Sequence, residues 1–213
     1  MVTTGAKLID LGDTLMSEVF IISDTHFGHS ATFEVFKDKN NEPLRPFKSL
    51  DEMHETFITN WNSVVGDGDL VLHLGDVAFS GQAYDEIMPQ LKGSKYLIRG
   101  NHDRFSEGRY RRYFNRILGV YIRDNYAFTH VPIHPDSGSR WIGNIHGHLH
   151  ANKVMKKEYE PFWESGKGEY CGIAGEYPDP FYFNASCEQI NYTPINFNTI
   201  RTNYYKEKLN EQT

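Results

Sequence analysis

Five short segments of this chain carry side chains able to hold metal ions. Asp24-Thr25-His26 comes first, then Gly75-Asp76, Gly100-Asn101-His102-Asp103, a lone His130, and Gly147-His148-Leu149-His150. Carboxylate, amide and imidazole without thiolate suit Mn²⁺, Fe, Zn²⁺ or Mg²⁺. Asp24 and His26 can turn to the same side where the chain leaves a strand. Asp76 follows a glycine, which lets the backbone approach an ion closely. Its two oxygens can bridge two cations, which an imidazole nitrogen cannot. Asn101 offers a neutral carbonyl oxygen, and His102 a proton donor near neutral pH. Asp103 is placed to orient that imidazole by a hydrogen bond. Singly, DxH, Gly-Asp and Asn-His also occur in ordinary loops and turns. In this order, each after an apolar run, they point to a site that holds two metals.

The elements that must position them follow from the hydrophobic pattern. Val19 to Ser23 is a continuous apolar run ending at Asp24, which reads as a buried strand. Leu70 to Leu74 and Tyr96 to Ile98 end in the same way at the next two segments. A Ser-x-x-Glu capping box at Ser49 starts a helix to about Val65, with Met53, Phe57, Ile58 and Trp61 on one face. A second helix spans roughly 82–92. Residues 27–48 read as a loop with one helical turn. This alternation is that of βαβ units, whose strands deliver their C-terminal ends to one edge. After residue 117 the pattern becomes strand-rich. A hairpin of 117–123 and 126–129 turns at Asp124-Asn125, a strand covers 141–145, and 181–186 with 189–195 reads as a further pair. Residues 1–16 read as a weakly structured leader, 151–180 as a polar, Gly-rich insert looping over the site, and the tail after Asn203 as a frayed helix. No linker divides the chain, so 1–213 reads as a single domain with its motif core at 17–150.

Composition limits the partners. A net charge of −6 provides no positive field for extended nucleic acid or an anionic membrane. Cys171 and Cys187 form no CxxC pattern, so neither a thiolate metal site nor a redox pair is indicated, and a reducing compartment is the simplest setting. With no signal-like start and no 18-residue apolar run, a cytoplasmic protein is expected. Oligomeric state is not readable.

Other residues have weaker claims. His29 lies near enough to Asp24 and His26 to touch a substrate, as do Arg45 with Phe47, Trp141 near the histidine pair, and Arg104. His134 is a possible substitute for His130. His54 reads as solvated, and His73 and His146 as structural. The stretch 104–116 has five arginines interleaved with aromatics, which fits base stacking but fits better an amphipathic helix with a solvated basic face. Tyr159, Phe162 and Trp163 either form a lid or pin the insert down.

Taken together, the chain over roughly residues 17–150 resembles the calcineurin-like metallophosphoesterase superfamily. The 23–29 opening (SDTHFGH), His73-Leu74-Gly75-Asp76, Thr129-His130-Val131-Pro132 and 146–150 (HGHLH) are similar to its small single-domain bacterial and phage members, as is Asn191-Tyr192-Thr193-Pro194-Ile195. The resemblance implies an α/β fold: a four-layer αββα sandwich of two mixed sheets, with a dinuclear site at one sheet edge. It further implies Asp24, His26 and His150 on one metal, Asn101, His130 and His148 on the other, and Asp76 bridging. Two divalent ions are expected, Mn²⁺ first, with Fe, Zn²⁺, Ni²⁺ or Mg²⁺ as alternatives, in the cytoplasm of a bacterial or phage-infected cell.

The activity so implied is hydrolysis of a phosphodiester or phosphomonoester, small and nucleotide-like, with the diester favoured. A hydroxide bridging the metals would attack phosphorus, and His102, its ring held by Asp103, would protonate the leaving oxygen. Two alternatives remain. A nuclease of the same superfamily is weakened by the acidic charge. A non-catalytic metal-binding scaffold would not need His102.

Overall fold

The computed structural model describes residues 17–164 and 168–210, so the expected leader over 1–16 lies outside the described residues. Strand β1 (Val19–Ile22) is followed by a single helical turn, α1 (Ala31–Glu34), and by helix α2 (Leu50–Val64). Then come β2 (Leu70–His73), α3 (Gly81–Ile87), β3 (Ser94–Ile98), α4 (Glu107–Tyr110) and β4 (Arg116–Leu118). The second half supplies β5 (Tyr121–Arg123), β6 (Tyr126–Phe128), β7 (Gly143–His146), β8 (Met155–Glu164), β9 (Gly168–Pro178), β10 (Tyr182–Asn184), β11 (Ile195–Asn196) and helix α5 (Phe197–Asn210).

Two mixed sheets result. The first runs β11-β1-β2-β3-β4, with β1 to β4 parallel and β11 antiparallel at the edge. The second runs β10-β7-β6-β5, with only the β5–β6 hairpin antiparallel. Strand β1 shows why its sequence is apolar at every position. Phe20 and Ile22 pack outward beneath Met53, Phe57 and Trp61 of α2 and Tyr84 of α3. Val19 and Ile21 face inward, with Leu72, Ile98, Phe128 and Ile145, between the sheets. Both faces are covered, so neither tolerates a polar residue. The outer face of the second sheet carries a 3₁₀ turn (Pro135–Arg140), tied down where Ile133 N–H donates to Asn144 Oδ1 and Tyr182 hydroxyl to Ile133 O.

Helix α2 begins as the sequence predicts. The Ser49 side chain accepts from Glu52 N–H at 3.1 Å, and Glu52 reaches back to Lys48 N–H. Three expectations need correction. Residues 117–123 are not one strand. The chain breaks at Gly119-Val120 and passes from the first sheet to the second, so β4 extends one sheet and β5 the other. Residues 189–195 are not a strand paired with 181–186. A 3₁₀ turn (Cys187–Gln189) intervenes, β10 pairs with β7, and the two-residue β11 pairs with β1. The insert is not a loop either: β8 and β9 form a long antiparallel ribbon with a bulge between Glu158 and Tyr159. On it Tyr159 is exposed, and the side chains of Phe162 and Trp163 lie outside the described residues, so the lid expectation has no contact to rest on. Among the described residues no helix is long and apolar enough to cross a membrane.

Candidate metal centre

All five ligand-bearing segments leave the C-terminal ends of β1, β2, β3, β6 and β7, and they meet at one edge of the sandwich. The loops are stitched backbone to backbone. Asp24 N–H donates to Gly75 O, His26 N–H to Asp76 O, and Gly147 N–H to His130 O. The packing there allows no spare atoms. At Gly75 (φ +104°) a Cβ would sit 2.5 Å from Gly100 N and 2.8 Å from His130 Nδ1. At Gly147 it would clash with Ser23 Oγ and stand 2.5 Å from Asp24 Oδ2. Gly147→Ala is therefore expected to cost about 1–3 kcal/mol, read as a melting-temperature drop of roughly 2–12 °C, with loss of bound metal. A variant with unchanged melting and full metal content would show that the loop yields freely.

Five of the seven expected ligand residues have left-handed backbone: Asp24 (φ 60°), His26 (48°), Asp76 (56°), His148 (70°) and His150 (50°). L-residues other than glycine rarely adopt this conformation, and it persists only where the surroundings enforce it. Here it turns each side chain sharply off its strand and into the shared site.

Two groups of ligand atoms converge, each within 4.8 Å: Asp24, His26 and His150 in one, and Asp24, Asp76 and His130 in the other. The two groups share Asp24, and Asp76 Oδ2 of the second lies 3.6 Å from His26 Nε2 and 3.4 Å from His130 Nε2. Its other oxygen accepts from His102 N–H at 2.8 Å. His130 donates from Nδ1 to Leu74 O, so the neutral ring presents an Nε2 lone pair; burial opposes charging that ring, but the Asp76 hydrogen bond and the charges of Asp24 and Asp76 raise its pKa. That lone pair faces Asn101 Oδ1 at 2.8 Å, which in turn lies 3.0 Å from His148 Nδ1. A proton on each ring nitrogen makes these contacts ordinary hydrogen bonds. Neighbouring ligands on an octahedral ion at about 2.1 Å are themselves ~3 Å apart, so with both nitrogens deprotonated the same spacing fits a shared cation.

Asp24 Oδ1 and both ring nitrogens of His26 are buried without a hydrogen-bond partner, a costly state that a cation would relieve. Electrostatics agree. Burial pushes the Asp24 carboxyl up, and burial, with Arg45 adding to it, holds the His26 imidazole well below its ordinary value. Burial also works against an ionised Asp76, but the His130 hydrogen bond and charge bring it down to about 2. Metal binds carboxylates and neutral imidazoles, so Asp76 and His26 already favour the binding form, while on Asp24 an ion would replace the proton that burial favours. The residues present fit a divalent pair.

Other expected residues divide. His29 reaches the site, its ring 5.6 Å from that of His26. His102 is partly exposed beside it, 5.7 Å from the His26 ring. Asp103 does not orient His102. Its carboxylate accepts from the N–H groups of Asp76, Val77 and Gly100 and from the Tyr110 hydroxyl, so it holds the Asp76 loop in place. Arg45 is not a substrate contact. It is fully buried, donating from Nε to Glu188 at 2.9 Å and from Nη1 and Nη2 to the carbonyls of Thr25 and Asp24. Arg104 is exposed. His134 stands out in solvent, away from the ligands. His54 is half-buried rather than solvated, and accepts from Gly28 N–H. His73 is structural as expected, donating to Thr25 Oγ1 and accepting from Gly75 N–H, and burial lowers it to about 3. In the arginine-rich stretch Tyr110 and Phe114 are core, Arg109 and Arg112 pair with Asp85, and Arg111 pairs with Glu107.

Sequence reasoning missed Glu188 and Ser186. Ser186 hydroxyl donates to Asp24 Oδ2 at 2.9 Å, as does His148 N–H. Glu188 Oε1 accepts from His150 Nδ1 at 3.1 Å, which leaves the His150 Nε2 lone pair free for a metal. The carboxylate partner of an imidazole ligand is a general expectation, yet nothing local marks position 188.

The sequence profile of the calcineurin-like phosphoesterases matches residues 18–200. This chain belongs to that family. As a calcineurin-like phosphoesterase it is a hydrolase that depends on divalent metal, and the cluster above is where metal would bind. The uncharacterized protein MJ1445 of Methanocaldococcus jannaschii is 36% identical to this phosphoesterase, over 87% of this chain and 90% of its own length. The Gene 66 protein of Mycobacterium phage L5 is 29% identical, over 67% of this chain and 82% of its own. In fold, the phosphoesterase is similar to AQ665, a protein of unknown function from Aquifex aeolicus, with a TM-score of 0.60 over 88% of this chain and 99% of that one at 23% identity.

Proposed function

We propose that this phosphoesterase hydrolyses small phosphodiesters at a dinuclear centre, with Mn²⁺ the first choice of metal. The observation that carries the reading is the position of Asp76 Oδ2, between His26 Nε2 and His130 Nε2 at 3.6 and 3.4 Å. One oxygen within reach of both imidazoles is what a carboxylate bridging two cations needs. When bound, two such ions supply positive charge against a phosphoryl group and lower the pKa of water at the site. The chain's own groups do the rest. Asp24, His26 and His150 hold one side, Asn101, His130 and His148 the other. The partly exposed His102 is the group free to give a proton to the leaving oxygen, because its backbone N–H, donated to Asp76, fixes where its ring begins.

The test is metal removal followed by Mn²⁺ add-back, comparing bis-p-nitrophenyl phosphate with p-nitrophenyl phosphate. Turnover should vanish with the metal, return with Mn²⁺ and favour the diester. A monoester preference would make the protein a phosphatase. No turnover of either ester, with two equivalents of metal bound, would overturn the catalytic reading.

A further inference from the structure

We infer that Phe79, with His29 and Phe36, forms an aromatic wall that selects esters carrying a flat heteroaromatic group, such as a nucleobase, on the alcohol side. The inference rests on the phosphoesterase reading above. Phe79 is 43% exposed, yet its ring stacks on His29 at 3.7 Å with only 10° between the planes. The same ring lies 5.0 Å from the His102 ring and 5.5 Å from that of His26. Phe36, 44% exposed, meets the other partner edge-on, 5.6 Å from the His29 ring. A single exposed phenylalanine needs no explanation. Two of them, joined through a histidine and ending against the proposed proton donor, form a continuous apolar rim beside a charged centre.

The wall is rigid. Phe79 N–H and Ser80 N–H both donate to Phe27 O, Phe27 bridges to Ala78, and the Ser80 side chain caps α3 through Ala83 N–H. A side chain at Gly28 would run into Ser80 and Ala83, so the two strand-end loops lock together beneath the ring. A substrate whose phosphate sits against the ligand cluster must direct its leaving oxygen toward His102. Whatever that oxygen carries then meets Phe79. Exposed aromatic surface gains most from another flat ring, and base–aromatic stacking is tolerant of base identity.

The experiment measures inhibition or direct binding of AMP and methyl phosphate on the Mn²⁺-loaded protein, wild type and Phe79→Ala. Both ligands present a phosphate, but only AMP carries a base. AMP should bind about tenfold tighter than methyl phosphate, the factor of one base–aromatic stack, and Phe79→Ala should remove that preference. Phe79→Leu, apolar but without the ring, should remove most of it. Thermal unfolding confirms that both variants fold. Equal binding of the two ligands to wild type, or a preference that survives in Phe79→Ala, overturns the wall and leaves the phosphoesterase reading standing. Failure of both ligands to bind overturns that reading, and the wall with it.

Discussion

Replacing His102 by alanine is expected to lower kcat by about 10²–10⁴-fold while two metals and the melting temperature are retained. Among the described residues, His102 hydrogen-bonds to the cluster only through its backbone N–H, which alanine keeps. Its ring is partly exposed, so truncation opens no cavity. That makes the variant a clean probe of proton donation. The effect should be largest for poor leaving groups, which need the proton, and smallest for p-nitrophenolate, which does not. Steady-state kinetics on an alkyl and an aryl ester, with metal content measured alongside, would decide. Equal rates for wild type and variant on both esters would remove His102 from the reaction. Asp103, bound to three backbone N–H groups and a tyrosine, is expected to act on stability instead.

The second large effect is expected at Glu188. Glu188→Ala would leave the Arg45 guanidinium fully buried without its counter-charge, a change that typically costs about 3–5 kcal/mol. It would also release His150 Nδ1, and loss of such a partner usually weakens metal binding about 10–100-fold. Glu188→Gln separates the two roles, because it keeps the shape and an acceptor for His150 but removes the charge. The pH dependence gives a further signature. Burial works against the ionised Glu188, but Arg45 and the His150 hydrogen bond more than offset it, bringing the carboxyl from 4.5 to about 2. Its stabilising contribution is complete above pH 4.5 and is lost as pH falls through 2. Urea unfolding across that window should show a step in wild type that Glu188→Gln lacks. An identical acid profile for the two proteins would mean that the pair contributes nothing. Titration calorimetry with Mn²⁺ reads the metal effect separately.

Glu188 and Arg45 also show where sequence reading stops. The candidate metal ligands were legible because few residue types can do that chemistry, and each segment follows an apolar strand whose end must lie at the sheet edge. The Arg45–Glu188 pair spans 143 positions, and no local pattern joins its members. An arginine in a loop beside the site looks solvent-facing until the fold buries it. Asp103 escapes sequence reading for a related reason. Its neighbour in sequence is His102, but its donors include the Asp76 and Val77 amides, brought in by another strand. Helix α2 was readable from periodicity because it buries one face, and strands β1 to β3 from continuous apolar runs because both their faces are covered. The β8–β9 ribbon was not. Met155 to Tyr159 are all exposed, so no alternation distinguishes that stretch from a loop. The crossing at Gly119-Val120 was hidden because a strand that changes sheets keeps its apolar character throughout.

The left-handed backbone at Asp24, His26, Asp76, His148 and His150 bears on how such a centre can be lost. If folding alone chose the residues there, each would be glycine, which adopts this conformation without the roughly 1–2 kcal/mol that an L side chain adds. Erosion of the site therefore runs downhill in stability. What opposes that gradient in the scaffold is the set of bonds these side chains make: Ser186 and the His148 amide to Asp24, the His102 amide to Asp76, and His150 to Glu188. Backbone strain and side-chain bonding thus pull in opposite directions at Asp24, Asp76 and His150, so a glycine at any of the three would relax the chain and strand its partners together.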